Sequence, residues 1–356
     1  MDDYSVRILY LTSYFRSGQT THLFTLAGAI RRRGHQVHVV VGGVRSAYQR
    51  RYTMALAQGI PCSTGLDLRR LIRLVRREKI DIIHAHSKRT LFLAARLSQR
   101  TGVPLIITCH ARTFIRPRFR RAFRQARFII CPWPELAHAF GRGYRKLRVI
   151  PNGIELDRFH AGRRQDRQVP QGETDMVDDT KPQQAPLRVL YLGRVDRTRV
   201  RGVRVLCQAV SDLPDVELSL ATNLPRKVRV GKGGSVKYLG WLARPEKVLA
   251  RHDVVVGTGR AVLEGMAMGC VALVLGEGWD GLVTPRNAKK LGYYNFIGRA
   301  TRRRPTAGDI RRTLERLVSD DQLRSKLAAW GQKYVARRHD IREIADRTLA
   351  LYRAAR

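Results

Sequence analysis

Residues 253–275, DVVVGTGRAVLEGMAMGCVALVL, hold a dense set of groups suited to gripping an anion. Residues 254–256 read as a buried strand, Gly257 and Gly259 as a tight turn, Arg260 as a helix opening, and 271–275 as a second strand. A helix that starts straight after a glycine turn presents unpaired N–H groups and the positive end of its dipole. Thr258 adds a hydroxyl and Arg260 a guanidinium. Glu264 falls one helical turn further on and faces the same side as Arg260. The alternative is packing alone, because strand–turn–helix is the unit of any α/β sheet. A second candidate is His110, which ends the apolar run 104–108. A histidine at the C-terminal end of a parallel strand faces the ligand crevice and titrates near neutrality. His84 and His86, in the segment HAH, alternate on a strand end, so one of them points into the packing. They lack the companions that a zinc site needs.

The segment 112–127, RTFIRPRFRRAFRQAR, carries Arg116, Arg118, Arg120, Arg121, Arg124 and Arg127 interleaved with Phe114, Phe119 and Phe123. On one short helix this pattern suits an anionic lipid surface. It also suits stacking on single-stranded bases, or phenylalanines packed in the core beneath a solvated basic face. The whole chain is strongly basic, with 68 Lys and Arg against 29 Asp and Glu and a net charge of +39. Such an excess attracts polyanions: nucleic acid, anionic headgroups or phosphate-bearing substrates. An arginine-rich composition can also arise with no ligand intended. No nucleic-acid motif is present and the arginines are spread along the chain, so no specific nucleic-acid partner is expected.

These groups need elements to hold them, and the pattern is α/β. A chain of 356 residues exceeds one ordinary core and implies two domains. Residues 6–11 form an apolar run fit for a strand buried on both faces of a parallel sheet. A polar loop follows, then a helix carrying Leu23, Leu26, Ala27 and Ile30, and a strand at 36–41. The alternation continues with a helix at 47–56, a strand near Ile60, and an amphipathic helix at 66–79 with Leu68, Leu71, Ile72 and Val75 inward. Strands at 80–84, 104–108, 128–131 and 148–150 complete a doubly wound sheet. Residues 160–186 are polar and rich in Pro, Gln and Asp, as a linker is. The α/β pattern restarts at 187 and ends in helical patterns at 307–319, 321–335 and 341–355. The expected division is an N-terminal domain at 1–159, the linker, a second domain at 187–335, and a C-terminal helix over 336–356 that packs back on the first. The cleft between the domains is the default site. The five cysteines are scattered without a CxxC pair, and the chain opens without a secretory signal, so a cytoplasmic protein is expected. No apolar run has the length of a membrane span.

In this order the pieces resemble the retaining GT-B glycosyltransferases of the family 4 type. The most specific is VIPNGIELDRF at 149–159, similar to the family's hinge signature except that Glu155 stands where Asp is usual. The others are VRILYL with LAGAIRRRGHQVHVVVGG, DIIHAHS, VPLIITCHAR, YLGRVD with RGVRVL, VKYLGWL, and LEGMAMGCVALVL. The resemblance covers nearly the whole chain outside the linker. It implies two Rossmann-like domains and a nucleotide-diphosphate sugar as donor substrate, with no other cofactor and no metal.

It also implies roles. Arg194, in the family's GR pair, contacts the donor diphosphate. Arg201 stands where the family has lysine before glycine, so that two cations neutralise the leaving group. Gly18 matches the glycine loop after the first strand, and His110 the histidine on the acceptor side. Glu264 matches the second carboxylate of the family's glutamate pair and accepts hydrogen bonds from the ribose. The first carboxylate is absent: its place falls on Val256, and Thr258, Gly259 and Arg260 stand as replacements. Arg116, Arg118, Phe119, Arg120 and Arg121 border the acceptor or a membrane. The expected activity is transfer of a sugar to a hydroxyl acceptor, a lipid-linked or envelope glycan precursor, with peripheral contact at an anionic inner membrane face. A degenerate GT-B binding protein and a nucleic-acid-binding protein are the alternatives.

Overall fold

The computed structural model describes residues 5–13, 18–44, 46, 49, 57, 59–141, 144–164, 185–223 and 236–356. Two units emerge, Met1–Glu155 with His339–Arg356, and Leu156–Arg338.

The first unit is a sheet of seven parallel strands in the order β3-β2-β1-β4-β5-β6-β7. The strands are β1 (Arg7–Ser13), β2 (Gln36–Gly42), β3 (Cys62–Thr64), β4 (Ile82–Ala85), β5 (Leu105–Thr108), β6 (Phe128–Cys131) and β7 (Leu147–Val149). In β1, Leu9 and Leu11 join the core on one face and Ile8 and Tyr10 the core on the other. That two-sided burial is why the strand reads as an unbroken apolar run rather than an alternation. The expected strand near Ile60 lies two residues later, and the expected helix at 47–56 falls almost wholly outside the described residues. Helix α1 (Gly18–Arg31) covers one face, while α2 (Leu68–Arg77) and α3 (Leu91–Thr101) cover the other. Helix α2 opens on Asp67, whose carboxylate accepts the Arg70 N–H at 2.8 Å, and it buries Leu71 and Val75 beneath an arginine-rich outer face.

The arginine-rich stretch after β5 is not one helix. Pro117 lacks an N–H and breaks it into single-turn segments at Arg112–Phe114 and Pro117–Phe119, followed by α4 (Arg120–Gln125) and, after β6, α5 (Pro134–His138). Phe114, Phe119 and Phe123 are each 3% exposed. The assignment of Phe119 to an acceptor or membrane face is therefore corrected: all three rings are core, while the arginines face outward.

The second unit is a six-stranded sheet, β10-β9-β8-β11-β12-β13. Its strands are β8 (Leu187–Leu192), β9 (Val216–Ala221), β10 (Val236–Tyr238), β11 (Val254–Gly257), β12 (Val271–Leu275) and β13 (Trp279–Leu282). Strand β13 runs antiparallel to β12 and is missing from the sequence reading. Its four residues, WDGL, sit among Gly276, Gly278 and Gly281 and show no alternation to betray a strand. The helices are α6 (Val200–Ser211), α7 (Pro245–Leu249), α8 (Arg260–Ala267), α9 (Ala288–Tyr293), α10 (Ala307–Ser319) and α11 (Asp321–His339). Of the stretch expected as a linker, the described residues include a single turn at Ala161–Arg164.

The last helix, α12 (Ile341–Ala355), belongs to the first unit. Ile341, Ile344, Leu349 and Tyr352 join the core beneath α1, and Arg33, in the turn after α1, pairs with Asp346 of α12. Its entry is set by a short parallel bridge, in which Ile154 N–H donates to the His339 carbonyl at 2.7 Å and Ile341 N–H to the Ile154 carbonyl at 3.1 Å. Gly153 makes that approach feasible, since a Cβ there would lie 2.8 Å from Ile341 Cα, a backbone atom that cannot swing aside. Gly153→Ala should therefore lower stability by about 1–3 kcal/mol in denaturant unfolding, as overpacking does. A midpoint equal to that of the parent would remove the claim that this glycine is what seats α12.

Candidate active site

In each sheet the strand order reverses at one point, between β1 and β4 in the first unit and between β8 and β11 in the second. Ligands of open α/β sheets bind outside the strand C-termini at such points. Of the predicted residues, Gly18 comes after β1, Arg194 after β8 and Thr258–Glu264 after β11, at these points, whereas His110 and Arg116–Arg121 come after β5, one strand further along the first sheet.

In the second unit β11 runs into the Gly257–Thr258–Gly259 turn. A Cβ on Gly257 would lie 2.6 Å from the Leu192 carbonyl, so glycine lets the end of β11 lie close against β8. Gly259, at φ +56 and ψ −118, caps α8 in a conformation that side-chain-bearing residues avoid. Its N–H donates to the Phe296 carbonyl at 3.0 Å, and Ala261 N–H to the Thr258 carbonyl at 3.2 Å. The expected anion cradle is corrected to that extent, since two of its donors bind the protein's own carbonyls. Val256, at the place of the first family carboxylate, is fully buried in β11.

Arg260 and Glu264 share a face as their spacing requires, but they face each other. Arg260 Nε donates to Glu264 Oε1 at 2.6 Å, and each side chain is 8% exposed. Burial pushes the Glu264 carboxyl up from its ordinary value; the charge and hydrogen bond of Arg260, and the charge of Arg158, oppose that rise, while Glu246 adds to it. Arg158 in turn donates to Glu246 at 2.8 Å. The picture of Glu264 as an open carboxylate is thus corrected to a member of a four-charge cluster. Neither Arg158 nor Glu246 was singled out in the sequence. The available signal for Arg158 was its place inside VIPNGIELDRF.

Arg194 follows β8 and is half-buried, its guanidinium 3.5 Å from Asp196. Asp196 also accepts from Arg199 at 2.6 Å and from the Thr198 hydroxyl at 2.6 Å. Burial pulls Asp196 upward, but the Thr198 hydrogen bonds and the charges of Arg199 and Arg194 outweigh it and hold the carboxyl below its ordinary value. Arg201 is exposed on the first turn of α6, so the two expected phosphate cations flank the segment 195–200 at the C-terminal end of β8. Gly202 beside it is buried against Leu275.

In the first unit the sequence reading missed a histidine cluster. His22, His84, His86 and His110 gather beside Tyr10, with the His84–His86 ring centroids 4.0 Å apart and His86 stacked on His110 at 5.8 Å. Tyr352 of α12 reaches in, its hydroxyl 2.6 Å from His84 Nδ1 and 2.9 Å from the Tyr10 hydroxyl, while His84 Nε2 lies 2.7 Å from the Thr108 hydroxyl. A neutral imidazole has one donor and one acceptor, and two hydroxyls satisfy it in either tautomer. Burial, with a smaller effect from His110, drives His84 down to about 3. Burial alone takes His110 to about 3, which corrects the expectation that it titrates near neutrality. His86 is pushed well below its ordinary value by burial, then by His84, His110 and His22. His110 Nε2 and both His86 nitrogens are shielded from solvent and have no hydrogen-bond partner among the described residues. Gly18 opens α1 and is exposed; next to it, Gln19 Nε2 donates to the His86 carbonyl and ties the first turn of α1 to the cluster. Nothing but the alternation HAH, with both positions read as strand-end residues, hinted at this arrangement.

Arg116, Arg118, Arg120 and Arg121 are all exposed. Among the described residues no group of three or more His, Cys, Asp or Glu side chains is arranged to hold a metal ion, and no helix is long and apolar enough to cross a membrane.

Two doubly wound units, each with one strand-order reversal, define a protein of the GT-B fold. Residues 16–158, about two fifths of the chain, match the family model described as Glycosyltransferase Family 4. Among solved structures it is similar to HepE of Anabaena in complex with UDP and glucose, at 18% identity and a TM-score of 0.72, covering 98% of this chain and 100% of that one. It is similar to the lipopolysaccharide outer core galactosyltransferase WaaB in its apo form, at 13% identity and a TM-score of 0.62, over 98% of this chain and 100% of that one. It is also similar to a UDP-N-acetylglucosamine 2-epimerase of Listeria monocytogenes described as putative, at 14% identity and a TM-score of 0.60, over 97% and 95%. A comparison with curated proteins returned no match. At these identities the likeness is one of fold, and the reaction must be argued from the residues.

Proposed function

We propose that the protein transfers a sugar from a nucleoside diphosphate sugar, a UDP-sugar in the first instance, to a hydroxyl acceptor. The observation that carries this reading is the set around the β8–β11 reversal: Arg194 just after β8, Arg201 on the first turn of α6, and the Thr258–Glu264 segment after β11. The two arginines neutralise the diphosphate as its bond to the anomeric carbon breaks, which lowers the barrier where charge develops. Glu264 Oε1 is engaged by Arg260, and the remaining carboxylate oxygen accepts from a ribose hydroxyl. The acceptor oxygen attacks on the face the diphosphate leaves, giving retention, and its proton passes to the departing phosphate oxygen. No metal is needed for charge neutralisation in this scheme. His110, neutral throughout the physiological range, hydrogen-bonds a sugar hydroxyl rather than acting as a charged acid. Support for a UDP-sugar comes from HepE, solved with UDP and glucose, and for an envelope glycan acceptor from WaaB. The basic exposed face at 116–121 supports work at an anionic membrane from the cytoplasmic side.

Arg194→Ala should reduce donor turnover by about 100-fold or more, the cost of removing one preorganised donor from a developing oxyanion. UDP release from a panel of UDP-sugars measures it, with the thermal midpoint as a check on folding. Unchanged turnover in a folded variant would sink the assignment. A second reading, a nucleotide-binding GT-B protein without transfer, is favoured by Val256, a buried apolar residue at the place of the first carboxylate. UDP binding without turnover of any UDP-sugar in the parent would select it.

A further inference from the structure

A cavity of about 340 Å³ lies in the first unit, lined by Lys88, Thr113, Arg116, Pro117 and Arg118. It is built on two loops that leave the C-terminal ends of neighbouring strands, Lys88 after β4 and residues 113–118 after β5. Its volume falls at the lower end of small-molecule sites, with room for more than a single small ion.

The lining is three cations and a hydroxyl, with no carboxylate. Lys88, Arg116 and Arg118 form no ion pair with a carboxylate among the described residues. The nearby Glu135 is occupied, holding Arg112 at 2.8 Å and the Trp133 indole N–H at 3.0 Å. Three cations facing one concavity repel one another and draw in a counter-charge.

The wall is also rigid. Buried Phe114 and Phe119 anchor it on both sides, Pro117 fixes a backbone dihedral, and Ile115, Arg116 and Phe119 N–H groups each close a tight turn at 2.9 Å. Arginine in a fixed frame matches the geometry of phosphate oxygens.

At its rim the chemistry changes. The Arg118 guanidinium lies 4.8 Å over the Phe119 ring, and Phe119 meets Phe92 at 5.4 Å between centroids. Phe92 is 47% exposed, one of the few large apolar side chains left in water among the described residues. An anion hole with an apolar shelf beside it fits a phosphate ester that carries an apolar portion.

We infer that this pocket binds the phosphate group of an amphiphilic phosphate ester, Lys88, Arg116 and Arg118 holding the phosphate and Phe92 lying against the apolar part. It rests on the transferase reading only in making that ester the acceptor; the binding itself does not require transfer.

The test uses the full chain carrying Arg194→Ala and Arg201→Ala, so that the two arginines proposed to hold the donor diphosphate contribute nothing. Inorganic pyrophosphate is titrated calorimetrically at fixed ionic strength, and flotation is measured with vesicles of phosphatidic acid in phosphatidylcholine and of phosphatidylcholine alone. Adding Arg116→Ala with Arg118→Ala should weaken pyrophosphate binding at least about tenfold, since each charge-assisted contact counts for about that factor. The same pair should abolish flotation with the phosphatidic acid vesicles, and Lys88→Ala, on the other loop, should act in the same direction. Arg73→Ala with Arg76→Ala removes two charges from the outer face of α2 and should change neither by more than about twofold. Equal losses in both pairs would reduce the effect to net charge and overturn the site. Pyrophosphate binding that is lost with the pocket, beside flotation that is not, would overturn the amphiphile. UDP binding by the parent chain is measured separately, so its failure would fall on the proposed activity and not on this pocket.

Discussion

Acidification below pH 6 should unfold this protein steeply, with a midpoint between about pH 4 and 5 set by the histidine cluster. His84, His86 and His110 all have folded-state pKa values depressed below that of an ordinary histidine, His84 and His110 to about 3. In the unfolded chain each takes a proton as pH falls through about 6.5. The unfolded state therefore binds more protons between about pH 6.5 and 3, and stability rises with pH across that window. The contribution is intact above the unfolded value and is lost as pH falls from there toward the folded one. Three such groups give a slope approaching about 4 kcal/mol per pH unit below pH 5.5, against a total stability of about 5–15 kcal/mol. Circular dichroism and thermal midpoints from pH 8 to 4 measure it. His86→Leu should flatten the slope by about one third, because both ring nitrogens of His86 lack partners and the substitution removes one of the three protons. An acid profile identical to the parent's would show that His86 is not the neutral buried group the geometry describes.

The same histidines mark the limit of what residue types alone disclose. The doubly wound architecture was legible because strands buried on both faces leave apolar runs, as in residues 6–11 and 254–256, and helices between them leave a 3.6-residue period. The end of β8 and the start of α8 were legible because glycines and charged residues cluster where strands end. What stayed hidden depends on partners distant in the chain. Nothing local says that Tyr352 reaches His84 and Tyr10, which are 268 and 342 residues away. Nor does local sequence say that Phe119 turns inward among exposed arginines. That outcome follows from Pro117, which splits the segment so that the three phenylalanines can all face the core. Strand β13 escaped for a different reason: it is short, glycine-rich and antiparallel in an otherwise parallel sheet, so it carries neither an apolar run nor a period.

Glu264→Ala is the second substitution with a large expected effect, and its partner sharpens the reading. The Arg260–Glu264 pair is shielded from water, and removing the carboxylate leaves a guanidinium that cannot discharge itself. The expected loss is about 3–5 kcal/mol, the range for breaking one side of a buried ion pair. Arg260→Ala should cost less, because burial already pushes the Glu264 carboxyl upward and the remaining acid can take a proton. Arg260→Met with Glu264→Leu should recover most of the loss, since apolar residues of similar size often replace a buried pair without penalty. Denaturant midpoints across this cycle measure the coupling. The same variants separate structure from ligand binding. If Glu264 also accepts from the ribose, the stable double variant should gain no thermal protection from UDP, while the parent should gain it by mass action. Equal UDP protection in both would leave Glu264 as half of a structural ion pair and move the nucleotide contact to other groups at the β8–β11 reversal.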